Sequence, residues 1–217
     1  MIPRGPVAAP GETYTYSQPG YIALGLIIQT VTGKALADVF YERIFNPLQM
    51  THTYLPEKDG PHDPMGYTNL FGMVEETVPT SDIIPSLNSL NSSAWSAGGV
   101  VSTARDLYTF LDGLLNGALL SPSSLEKMQD YIPTSTENED VTENVGYGMG
   151  FYQSTRDGIT ALGHNGSVPG SGCVMQYIDA YDIYVIAVRN TDMKEVEEGI
   201  APDFSDYVKN ALFDESD

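Results

Sequence analysis

Gly163-His164-Asn165-Gly166-Ser167-Val168-Pro169-Gly170 lies in a region where apolar and polar residues alternate with a period of two, the pattern of a sheet. On either side, residues 147–154, 159–165, 172–178 and 182–190 read as strands separated by turn residues. Consecutive short strands joined in this way predict an antiparallel meander. Beyond them, Met193 to Phe213 carries Val196, Ile200, Phe204, Val208, Leu212 and Phe213 at helical spacing. This predicts a helix interrupted near Pro202 and packed on one face of the sheet.

Toward the N-terminus the period changes. Leu24, Leu26, Ile27, Ile28, Val31, Leu36, Val39, Phe40 and Ile44 fit helical spacing, with Thr32-Gly33-Lys34 between them. A glycine C-cap therefore separates a helix near 19–31 from one near 35–45. Asn46-Pro47-Leu48 stops the second. Residues 51–92, rich in Pro, Thr, Asn and Asp, predict a long irregular excursion with short strand-like pieces. Thr103 is placed to N-cap a helix over 104–115 with Leu107, Phe110, Leu111, Leu114 and Leu115 on one face. Ser121 and Pro122 open a shorter helix near 122–131. Residues 1–13, with Pro3, Pro6 and Pro10, read as an extended lead-in.

Composition narrows the function. With 217 residues, 41% of them apolar, and 14 Tyr, the chain has enough material for a core. Its 10 Lys and Arg against 29 Asp and Glu give a formal charge of −19, which repels nucleic acid and anionic lipid. The acidic stretches at Glu75-Glu76, 137–140, 195–198 and 214–217 read as solvated surface. Cys173 is the single cysteine, so no internal disulfide is available, and it reads as a packed thiol. No stretch of about 18 apolar residues suggests a membrane span, and the N-terminus lacks the apolar region of a signal peptide. Localisation is not encoded. His52, His62 and His164 lack zinc-ligand spacing and Gly98-Gly99 is not a phosphate loop, so no metal or cofactor is expected.

Three blocks carry the chemistry. The first runs from Pro10 through Tyr14-Thr15-Tyr16-Ser17-Gln18-Pro19-Gly20-Tyr21, with Phe45-Asn46-Pro47-Leu48 further on. The second is Ser96-Ala97-Gly98-Gly99-Val100-Val101-Ser102-Thr103-Ala104-Arg105-Asp106-Leu107. The third is Tyr147-Gly148-Met149-Gly150-Phe151 followed by the Gly163–Gly170 segment. In this order the chain resembles the class C β-lactamase-like, penicillin-recognising serine hydrolases, which include carboxylesterases, D-aminopeptidases and low-molecular-weight penicillin-binding proteins.

The resemblance implies an α/β (α+β) fold: an antiparallel β-sheet flanked by helices, plus a helical subdomain. Residues 13–145 would form the helical and loop part, and 146–217 the sheet and C-terminal helix, of one partial domain. Members of the family combine Ser-x-x-Lys, Tyr-x-Asn and a Lys-Thr-Gly or His-x-Gly strand. Tyr16-Ser17-Gln18 matches the second motif and His164-Asn165-Gly166 the third. The chemistry is acyl transfer, in which a serine hydroxyl must lose its proton as it attacks a carbonyl. Tyr16 would be the base, its pKa lowered by the motif lysine, and would return the proton to the leaving group. Gln18 stands where asparagine is usual, an amide that helps position the lysine and the substrate carbonyl, and Tyr16, Gln18 and His164 would be the catalytic residues. His164 would line the site edge. Asn165, Gly166 and Ser167 would contact substrate, the Ser167 N–H donating to the oxyanion and Gly166 permitting close approach.

The 15 residues before Tyr16 hold no Ser-x-x-Lys, so the chain is expected to be N-terminally truncated relative to the family. Ser124-Leu125-Glu126-Lys127 has the spelling but follows the tyrosine motif, and reads as surface helix. The expected partners are an N-terminal complementing segment or a second copy, either of which could cover an open edge at 182–190. The expected substrate is an ester, β-lactam or peptide. A non-catalytic ligand-binding module and an assembly protein are the competing readings.

Overall fold

The computed structural model describes residues 5, 8, 9, 11–56, 67–68, 78–79, 94–134, 144–156 and 158–191. The expected helix over 193–213, most of the 51–92 excursion and the acidic stretches lie outside the described residues.

Helix α1 (Gln18–Thr32) starts where Ser17 caps it, the Ser17 hydroxyl accepting the Gly20 N–H at 3.1 Å. It stops at Gly33, whose φ of 67° lets its N–H reach back to the Gln29 carbonyl. Helix α2 (Leu36–Phe40) continues as a π-helical turn, Tyr41–Phe45. Strands β1 (Tyr67–Thr68) and β2 (Val78–Pro79) pair antiparallel inside the long excursion. Helix α3 (Ala104–Leu115) is capped as the sequence indicates, the Thr103 hydroxyl accepting the Asp106 N–H. Helix α4 (Pro122–Met128) opens on Ser121 and ends three residues short of its expected limit.

The sheet consists of β3 (Ile132–Pro133), β4 (Asn144–Tyr147), β5 (Tyr152–Arg156), β6 (Ile159–Val168), β7 (Ser171–Ile178) and β8 (Ile183–Arg189), in that spatial order. Every neighbouring pair is antiparallel, which makes it the meander the alternation predicts. Residues 147–154 are not one strand, however. The chain turns at 148–151, where Gly150 has a φ of 100° and the Gly148 N–H bonds the Phe151 carbonyl. A side chain at Gly148 would also run into the Met128 carbonyl. Pro133 sits on the short edge strand, where a missing N–H costs little. At the other end, β8 closes the row of described strands.

The core lies between helices and sheet: Leu36, Phe45, Met50, Leu111, Leu114, Phe151, Ile178 and Val185 are all buried. Two devices hold the helices in place. Gly25 lets α1 press against the 3-10 turn Trp95–Ala97, since a Cβ there would lie 2.8 Å from the Trp95 ring. The Ser96 hydroxyl donates to the Tyr21 carbonyl at 3.0 Å across the same contact. Asp106, 5% exposed, turns its carboxylate back to accept the His52 N–H at 2.9 Å and the Thr53 hydroxyl at 2.8 Å. Next to this knot, Tyr54 and Val101 form an antiparallel bridge.

The apolar residues of α1 depart from the simplest expectation. Leu24, Leu26, Ile27 and Val31 are more than half exposed, and Gly25 is the buried residue of the helix. No single helix among the described residues is long and apolar enough to cross a membrane; α1 and the stretch after it are bent by 83°.

Candidate active site

Tyr16 directly precedes the cap of α1, so the helix start fixes its backbone while its ring stays 52% exposed. It lines a cavity of about 420 Å³ together with Tyr14, Tyr21, Leu24, Tyr147 and Met149. The lining is largely aromatic and apolar, with Thr15 and Ser17 beside the tyrosines. Two chain regions thus meet here: the α1 entry and the β4 end.

Behind the cavity wall the phenols continue into the sheet. The Tyr21 and Tyr147 hydroxyls are 3.2 Å apart, and the Tyr147 hydroxyl lies 3.3 Å from His164 Nε2. His164 Nδ1 contacts the Asn165 carbonyl. Tyr147 is buried and packs edge-on against the rings of Tyr152 and His164. Tyr14 tilts against Tyr147 with ring centroids 5.1 Å apart. The Tyr14 hydroxyl is buried with no hydrogen bond of ordinary geometry, and burial first, then nearby Tyr152, disfavours a Tyr14 phenolate.

These surroundings set the protonation states. Burial, then the Tyr152 and Tyr21 hydroxyls, push the Tyr16 phenol above its ordinary value of 10.0. Each of these influences penalises the phenolate, desolvation most. Tyr147 is pushed up further, by burial and then its bond to Tyr21. Burial lowers His164 from 6.5, partly offset by the Asn165 carbonyl, so the imidazole is neutral near pH 7.

The remaining expected site residues fall in two places. Gln18, the first residue of α1, is exposed and does not line the cavity. Asn165, Gly166 and Ser167 form an exposed run on the far half of β6. That half pairs with β7, while β5 pairs only as far as Gly163, so the β5 side of residues 164–168 faces no described strand. Backbone groups are therefore presented beside His164. Gly166 faces Cys173 across the β6–β7 pair, and a Cβ at 166 would meet its sulfur at 3.2 Å. Small size at 166 thus serves the sheet itself. The Cys173 thiol is raised by burial, a tendency opposed by the Gly166 backbone and Arg189.

Sequence reasoning missed Tyr14, Tyr21, Tyr147 and Tyr152 as site residues. The signal for Tyr147 was its place in Tyr147-Gly148-Met149-Gly150-Phe151, where two glycines free the chain to turn straight after it. Among the described residues no group of three or more His, Cys, Asp or Glu could hold a metal ion.

A tyrosine motif at a helix start, beside a His-x-Gly strand of an antiparallel sheet, defines the class, and comparison agrees. Residues 3–205 match the Beta-lactamase family, and the chain belongs to it. The chain is 26% identical over 200 residues to an unguisins hydrolase from Aspergillus campestris, covering 89% of the chain and 36% of that protein. It is 28% identical over 179 residues to a putative penicillin-binding protein of Bacillus subtilis, covering 82% of the chain and 40% of the relative. Among solved structures, a D-stereospecific amidohydrolase from Streptomyces sp. superimposes with a TM-score of 0.79 at 27% identity, covering 98% of this chain and 58% of that one. The chain therefore spans about two fifths of the curated relatives it matches.

Proposed function

We propose that the chain supplies the tyrosine and His-x-Gly portions of a serine hydrolase that works by acyl transfer on an amide, ester or β-lactam carbonyl. The observation that carries this is the position of Tyr16 on the cavity wall, with the open half of β6 beyond His164 at the other side of the same tyrosine cluster. The amidohydrolase and penicillin-binding relatives favour amide and β-lactam carbonyls over other acyl groups.

In this reading the nucleophile is a serine on a Ser-x-x-Lys segment elsewhere in the whole protein or on a complementing chain. Its oxygen bonds to the carbonyl carbon while Tyr16 takes the hydroxyl proton, and that proton passes to the departing amine or alkoxide. Water then releases the acid and regenerates the serine. The motif lysine lowers the Tyr16 pKa, reversing the upward shift that burial imposes. Asn165, Gly166 and Ser167 contact the substrate, Gln18 belongs with Tyr16 to the tyrosine motif, and His164 supports the strand that bears the first three. Residues 13–145 and 146–217 act as the helical and sheet parts of one domain, and the outer edge of β8 receives the complementing segment or a second copy.

A second reading is a ligand-binding module without turnover, for which the largely aromatic cavity wall around Tyr16 suffices. Hydrolysis of p-nitrophenyl acetate, nitrocefin and a D-amino acid amide separates the two. The chain is assayed alone and with an upstream segment carrying Ser-x-x-Lys. Activity only in the mixture, reduced at least 100-fold in Tyr16→Phe, supports the hydrolase. Binding without turnover in both supports the module.

A further inference from the structure

Tyr147 belongs to neither the tyrosine motif nor the His-x-Gly motif, yet it contacts both halves of the site. Its hydroxyl meets Tyr21 of α1 on one side and His164 of β6 on the other, with the rest of its ring buried. The direction of each bond follows from His164. A carbonyl oxygen can only accept, so the contact with Asn165 requires a proton on His164 Nδ1. A neutral ring then has a bare lone pair on Nε2, and the Tyr147 O–H must donate to it. The Tyr147 oxygen is left to accept from Tyr21, which also lines the cavity.

Both ring nitrogens of His164 are therefore engaged by the chain. We infer that Tyr147 is a positioning residue: it holds His164 in the Nδ1–H tautomer with Nε2 turned into the protein, so that β6 offers substrate its backbone and not a free imidazole nitrogen. This rests on the hydrolase reading only for its catalytic consequence. The geometry also ties α1, which follows directly from Tyr16, to the strand carrying Gly166. A substitution at Tyr147 would then shift one motif relative to the other.

The chain has three histidines, which makes the tautomer directly measurable. Long-range ¹H–¹⁵N correlation spectra of the ¹⁵N-labelled full chain are recorded near pH 7.5, with His52→Gln and His62→Gln to assign the signals. The expected wild-type pattern is a single His164 tautomer protonated at Nδ1. Tyr147→Phe keeps the ring packing and removes the donor; it should lose that pattern and show the Nε2–H form or a mixture, whereas Tyr21→Phe should retain it. An Nε2–H wild type, or an unchanged tautomer in Tyr147→Phe, overturns the inference. If Tyr147→Phe does not fold, the wild-type tautomer decides by itself. In the complemented enzyme Tyr147→Phe should lower kcat roughly tenfold or more with KM little changed. The spectra need no turnover, so an inactive complex defeats the hydrolase reading and leaves the tautomer result standing.

Discussion

Two polar clusters join distant parts of this chain, and they are built on opposite principles. Around Asp106, a buried carboxylate gathers a backbone N–H and a hydroxyl, and that hydroxyl also meets Ser102 at 2.7 Å. Around Tyr147, neutral hydroxyls and an imidazole form a chain that ends at a cavity. The first places a charge where its donors converge, an arrangement suited to fixing a loop on a helix. The second excludes charge, raising its phenols and lowering its imidazole, and leaves polar atoms at a wall a ligand can reach. Burial and hydrogen bonding alone do not distinguish a strut from a site; the charge state and the open end do.

The contrast can be broken most directly at Asp106. Asp106→Ala strands the His52 N–H and the Thr53 hydroxyl, and should cost about 3 kcal/mol of stability in a denaturant titration. A cost below about 1 kcal/mol would mean the cluster is not the structural one. Gly25→Ala comes next, at about 2 kcal/mol, because the new methyl overlaps the Trp95 ring and Ser96. It should also move Tyr21, so near-ultraviolet circular dichroism should change with it. Tyr21→Phe removes one neutral, part-buried hydrogen bond, and thermal unfolding should register about 1 kcal/mol.

The smallest effect is a pH slope. A histidine whose folded pKa lies below its unfolded value stabilises the fold fully above the unfolded pKa. That contribution is lost as the pH falls through the folded pKa, since the unfolded chain binds the proton more readily. Stability should therefore decline below about pH 6.5. The difference in slope between wild type and His164→Gln isolates this part, and equal slopes would place His164 in a more solvated setting.

Much of the frame was legible because its signals are local. Thr103, Ser121-Pro122 and Gly33 act within one helical turn, and each sits where the sequence puts it. Period-two alternation located β7 and β8 to within a residue at each end, and the start of β6, whose end runs three residues past the expected 165. The turn at 148–151 was hidden because the alternation of apolar residues runs through it, and only backbone crowding at Gly148 and the positive φ at Gly150 reveal it. The buried role of Asp106 was hidden for another reason: its partners lie more than 50 residues upstream. The site divides in the same way. Tyr16 and His164 were found through their motifs, whereas the link between them through Tyr21 and Tyr147 spans 126 residues and has no local pattern. The sign of the Tyr16 shift depends on which charges surround the folded ring, which a motif does not record.

Cys173, the chain's single cysteine, faces Gly166 from the neighbouring strand with a half-buried thiol that burial keeps protonated. Such a sulfur reacts with an alkylating reagent mainly when the strands part, so its rate of modification counts openings of the β6–β7 pair. The chain thus carries an intrinsic clock, needing no engineered label, on the strand pair that presents Gly166. Slower ticking in the presence of a ligand would mark occupancy of that edge.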